Sequence, residues 1–72
     1  MRDYSQFTGQ FADQIKKLTD YAEYNYGRNH KITVACRSGD AQKFMDATSH
    51  ITEMHDMRIV SLQNKLICAA IP

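Results

Sequence analysis

An apolar stripe near the start of the chain constrains its fold more than any other feature. Phe7, Phe11, Ile15, Leu18 and Ala22 recur at intervals of three or four residues. That spacing puts all five on one face of a helix, and such a face must be buried against something. Tyr4 and Tyr21 flank the stripe. The pattern predicts a long amphipathic helix over residues 5–25, with Asp3 or Ser5 as N-cap. Gly27 stands where a left-handed glycine ends a helix. Gly9 weakens the first turns by about 0.5–1 kcal/mol relative to alanine, so the helix is expected to fray there or start later.

Beyond Gly27 the pattern changes period. In "KITVACR", residues 31–37, Ile32, Val34 and Cys36 alternate with Lys31, Thr33, Ala35 and Arg37. Strict alternation predicts a half-buried strand. "SGD" breaks it, and Asp40 or Ser38 then caps a second helix over residues 40–55. Its ridge is Ala41, Phe44, Thr48, Ile51 and His55, with Met45 and Met54 beside it. "MRIVSL" at 57–62 and "LICAAI" at 66–71 read as two further strands. They are joined by a tight turn at "QNK", with Asn64 at positive φ. The order α-β-α-β-β implies an α+β two-layer sandwich. In it, a three-stranded antiparallel sheet of order 1-3-2 carries both helices on one face. Thr33, Ala35, Arg37, Ala69 and Ile71, with either Val60 and Leu62 or Ile59, would lie on the other face. A face that apolar implies a cover, either a partner or a homodimer formed through the open sheet face.

The chain has 72 residues and a formal net charge of +1, which suits a single domain over residues 1–72. A domain this small buries only roughly 60% of the surface of its unfolded chain. It has little volume to spare for a deep pocket, which argues against a conventional enzyme. The initial Met and the lack of a linker suggest a complete small gene product. No apolar run approaches the ~18 residues of a membrane span, and no signal peptide is evident. Cys36 and Cys68 stand in apolar segments, where cysteine acts as a small hydrophobe. Reduced thiols and a cytoplasmic location are expected. A Cys36–Cys68 disulfide would require the two strands to be neighbours.

No catalytic constellation emerges. His50, Glu53 and His55 come near an inverted zincin motif, but the histidines are five apart, about 140° around a helix. They cannot share a metal as an i, i+4 pair does, so no metal or cofactor is assigned. "RSGD" at 37–40 has too few glycines for a phosphate loop, and Asp40 would repel an anion there. Cys36 and Cys68 alternate with core residues and read as buried, and the carboxylates lie scattered over polar helix faces.

"TDYAEYNYGRNHK", residues 19–31, is the remaining candidate. Tyr21, Tyr24 and Tyr26 precede Arg28, His30 and Lys31, with Arg37 beyond. For the most part this is a helix end with its exit loop, and a tyrosine beside a core stripe is usually a boundary residue. Tyrosine and arginine at an exposed helix end also supply interface hot spots. The basic charge gathers in the same region. Residues 27–43 carry +3, with −1 on either side. The leading expectation is a small non-enzymatic regulator or inhibitor that binds a larger protein. It is similar in type to phage- or plasmid-encoded anti-host and anti-defence proteins such as the anti-CRISPRs. The alternative is a nucleic-acid-binding or transcription-linked protein using Arg28, Lys31, Arg37 and Lys43. Against it, Asp20 and Glu23 lie among the tyrosines.

Overall fold

The computed structural model describes residues 3–71. Among them there are five α-helices and no strand. A 3₁₀ turn, Ser5–Phe7, leads into α1 (Thr8–Lys17) and α2 (Thr19–Tyr26). After the Gly27 loop come α3 (Lys31–Ser38), α4 (Ala41–Ala47) and α5 (Met57–Ala70). The expected α+β sandwich is therefore overturned, and with it the open sheet face through which a homodimer was expected to form.

The first helical segment was read correctly as a face and incorrectly as one rod. Phe11, Ile15 and Ala22 are buried, and Phe7, Leu18, Tyr4 and Tyr21 pack against them. At Leu18 the amide turns back to Ile15 in a 3₁₀-type bond of 3.1 Å, and this separates α1 from α2. Asp3 does not cap a helix. Its carboxylate accepts from the Ser5 amide and hydroxyl, forming a local turn before the 3₁₀ segment.

Residues 31–37 form a helix because its two ends are capped. The His30 Nδ1 accepts from the Ile32 amide at 3.1 Å. Gly39 ends α3 at φ +72°, a conformation that costs glycine nothing. The buried set is Ile32, Thr33, Ala35 and Cys36, with spacings of one, three and four, while Val34 is 48% exposed. Thr33, assigned to the open face of a sheet, is fully buried and donates to the Gly27 carbonyl at 2.7 Å. Short apolar runs fit either period, and here helical burial wins over β-branched propensity.

The two C-terminal strands are one helix. Asn64 is an exposed residue of α5, and no residue other than glycine has positive φ among those described. Ile59, Leu62, Gln63 and Leu66 are buried at helical spacing, with Ala69 packed against the core one turn on. The predicted second helix stops early. α4 spans Ala41–Ala47, and the segment to residue 56 is a run of turns. Asp40 caps α4 through the Lys43 amide, as the sequence implied. At the other end, the Thr48 carbonyl accepts from the Gln63 side-chain Nε2 at 2.6 Å, and Thr48 Oγ1 donates to the Phe44 carbonyl. The end of α4 is thus satisfied by α5 rather than by continued helix.

One core unites the five helices: Phe11 and Ile15 of α1, Ala22 of α2, Ile32 and Cys36 of α3, Phe44 of α4, and Ile59 and Leu66 of α5. Burying a side chain such as Phe44 or Leu66, each at 0% exposure, contributes roughly 1.5–3 kcal/mol. Polar ties set the register between segments. Gln42 accepts from the Tyr4 amide, and Thr8 Oγ1 accepts from the Ala41 amide.

Candidate functional site

The three tyrosines of α2 separate into two roles. Tyr21 and Tyr26 turn inward, and Tyr24 is 91% exposed. Both inward hydroxyls donate to Asp56, Tyr21 to Oδ1 at 2.8 Å and Tyr26 to Oδ2 at 2.6 Å. Asp56 is only 6% exposed and is also the N-cap of α5. Its Oδ1 accepts from the amides of Arg58 and Ile59 at 3.0 and 3.2 Å. One carboxylate therefore ties α2 to the start of α5 and satisfies two orphan amides of that helix.

The electrostatics follow from this arrangement. Burial alone would push the Asp56 carboxyl up. The hydrogen bonds from Tyr26, Tyr21, Ile59 and Arg58 outweigh it and hold the carboxyl below its ordinary value. Burial raises both phenols, and donation to the carboxylate raises them further, so both stay protonated donors. The Arg58 guanidinium lies over the Tyr21 ring, 4.8 Å from its centroid, and the Tyr26 ring lies 5.4 Å from that of His30. This cluster has a fixed proton on each hydroxyl and an ionised acid. It ties α2 to the start of α5, and its geometry is that of a structural clasp.

Sequence reasoning misses Asp56, one of the carboxylates it scatters over polar helix faces. Its signal is the N-cap position in "DMRIV", three residues before a buried isoleucine. Reading 57–62 as a strand hid it.

The remaining residues singled out in the sequence lie elsewhere. His30 is spent as the cap of α3. Arg28, Lys31 and Arg37 are exposed. An Arg37 Nη donates to the Arg28 carbonyl at 3.2 Å and sits 3.9 Å from Glu23. Lys31 rims an open groove of about 510 Å³ between α3 and α4. Val34, Ala35 and Ala47 form its apolar floor, with Lys43 and Asp46 on the opposite edge. The structure thus draws Lys31 and Lys43 together across a groove and separates them from Tyr21 and Tyr26.

His50, Glu53 and His55 occupy the turns between α4 and α5. No group of metal-ligating side chains capable of holding an ion occurs among the described residues. His55 Nδ1 is engaged locally with Thr52. Ser38 Oγ donates to Ala35 and accepts from the Asp40 amide, so the "RSGD" turn uses its polar groups internally. Cys36 is free, buried and pushed up to about 11 by burial, and Cys68 is free and exposed. No helix among the described residues is long and apolar enough to cross a membrane. Comparison with protein-family models, curated proteins and solved structures finds no match to this chain.

Proposed function

We propose that the protein is a small non-enzymatic regulator or inhibitor that occupies a surface of a larger protein, and that it does so through the α3–α4 groove. The observation that carries this reading is the groove itself. An apolar floor of Val34, Ala35 and Ala47 inside a charged rim has the anatomy of a protein interface. The rim favours one kind of partner. Lys31 of α3 and Lys43 of α4 line the groove with Asp46 as its one acidic residue, and Arg28 before α3 and Arg37 within it are exposed. The matching occupant is an acidic amphipathic segment, its apolar side on Val34 and its carboxylates on the lysines. Tyr24 is a separate exposed anchor on α2. Action by surface occupation is the mode of the small phage- and plasmid-encoded inhibitors that the sequence resembles in type. The two free thiols fit a reducing compartment such as the cytoplasm.

A second reading has one observation in its favour. α3 and α4 are joined through Gly39 and Asp40 alone, a short glycine turn of the helix-turn-helix kind. Lys43 would then face nucleic acid, the Gln42 side chain being engaged by Tyr4 and Asp46. Asp46 on the same short helix and a net charge of only +1 weigh against it.

Paired capture from lysate with the wild-type chain and Val34→Glu tests the two. A protein held by the wild type, lost on Val34→Glu and indifferent to nuclease supports groove binding. Equal retention on both baits refutes it. Retention abolished by nuclease, with a log–log salt slope of about −0.9 per phosphate contacted on duplex DNA, favours the second reading.

A further inference from the structure

A second depression shares no residue with the α3–α4 groove and lies where the end of α1 meets α5. Its volume is about 260 Å³. Lys17, Arg58 and Lys65 surround it, over a floor that includes Leu18 and Leu62. Gln14 and Ser61 add an amide and a hydroxyl. None of its lining residues is acidic, and among the described residues none of the three cations has an ion-pair partner. Gathering three like charges with no acidic residue in the lining is unfavourable in the free protein.

The local fold holds part of this arrangement in place. The Arg58 guanidinium rests on the Tyr21 ring, and the Tyr21 hydroxyl is anchored on Asp56. Asp56 lies behind Tyr21, with its oxygens held by the two tyrosines and the first amides of α5, and it is not among the residues that line the depression. Lys65 reaches Gln14 Oε1 only at 3.5 Å, a weak contact that links the two helices.

We infer that this depression binds a phosphate group carried on a small organic molecule. A tetrahedral dianion presents acceptors in diverging directions, and here residues from α1 and α5 that carry ammonium, guanidinium, amide and hydroxyl donors line one depression. A single carboxylate is planar and carries one charge, so it answers fewer of them. The space falls short of the ~300–1,000 Å³ of sites that enclose drug-sized ligands, so it admits a phosphate and a short arm. Leu18 and Leu62 offer that arm an apolar surface. A long polyanion fits less well, because Asp13 and Asp20 are exposed on the flanking parts of α1 and α2.

The test is an amide NMR titration at constant ionic strength, with inorganic phosphate and with phenyl phosphate. It uses the full chain and a Lys17→Gln/Lys65→Gln variant. Both substitutions are on exposed side chains, so the variant should retain the wild-type melting temperature, and the spectrum reports its fold directly. The expected result is saturable shifts confined to residues 14–18 and 58–65. Phenyl phosphate should bind more tightly than phosphate, and the variant should weaken both by about fivefold or more. Shifts that fail to saturate, or that appear equally at Lys31 and Lys43, would mean general charge screening and would overturn the inference. So would unchanged affinity in the folded variant, or equal affinity for the two probes. Displacement of phenyl phosphate by a lower concentration of duplex DNA would reassign the site to nucleic acid.

Discussion

Replacing Tyr26 by Phe removes one hydroxyl and leaves the ring in place. That hydroxyl is the one donor to Asp56 Oδ2 among the described residues, at 2.6 Å. Oδ1 keeps three donors, the Tyr21 hydroxyl and two α5 amides. Asp56 is 6% exposed, so bulk water replaces the lost donor poorly. A hydrogen bond to a charged group contributes about 1.5–3 kcal/mol, and the partial exposure of Tyr26 puts the expected loss at about 2 kcal/mol. A domain of 72 residues has a total stability of roughly 4–11 kcal/mol, so this one atom carries a substantial share. The melting temperature should fall by about 8–16 °C. Tyr21→Phe should cost about half as much, because Oδ1 retains its two amide donors. The assay is urea unfolding followed by circular dichroism on the wild type, Tyr26→Phe, Asp56→Asn and the double variant. Asparagine keeps a capping oxygen but loses the charge, so the double-mutant coupling isolates the phenol–carboxylate bond. A cost below about 0.5 kcal/mol for Tyr26→Phe, or strict additivity with Asp56→Asn, would refute the clasp.

Acid should open the same clasp. The Asp56 carboxyl is held below its ordinary 3.8 in the folded chain, so the unfolded chain binds the proton first on acidification. Its stabilisation is complete above that ordinary value and is lost as pH falls below it. Asp56→Asn should flatten the stability curve in that acid range, and an unchanged slope would remove Asp56 as its cause. Native alkylation should modify Cys68 quickly and leave Cys36, buried and raised to about 11, unmodified until urea is added. Mass spectrometry reads one adduct against two. Gly39→Ala should destabilise by about 1 kcal/mol or slightly more, since φ is +72° and a Cβ would meet the Lys16 side chain at 2.7 Å. A thermal melt unchanged from wild type would contradict that strain. Tyr24→Ala should leave stability within about 0.5 kcal/mol and weaken partner binding by more than about 1 kcal/mol, read by denaturation and by titration with the captured partner.

Several features were legible in the residue order alone. The stripe from Phe7 to Ala22 specified a buried helical face over 16 residues, long enough for its period to be unambiguous. Gly27 and Asp40 marked a helix end and a helix start, because a positive φ and a capping carboxylate are local demands. Residues 31–37 and 57–71 were not legible in the same way. Val34, Thr33 and Ala35 satisfy a two-residue period as readily as a helical one, so local sequence leaves the choice to whatever buries them. The tertiary structure decided it by burying Thr33 beside Ile32 and leaving Val34 outside. The partition of the tyrosines was likewise beyond sequence. Tyr21 and Tyr26 meet a carboxylate 35 and 30 residues away, and only the docking of α5 against α2 brings it there. Side-chain type and spacing set which helix faces and caps could form. Long-range burial, which no local pattern encodes, chose helix over strand and turned two of the three candidate tyrosines into internal ties.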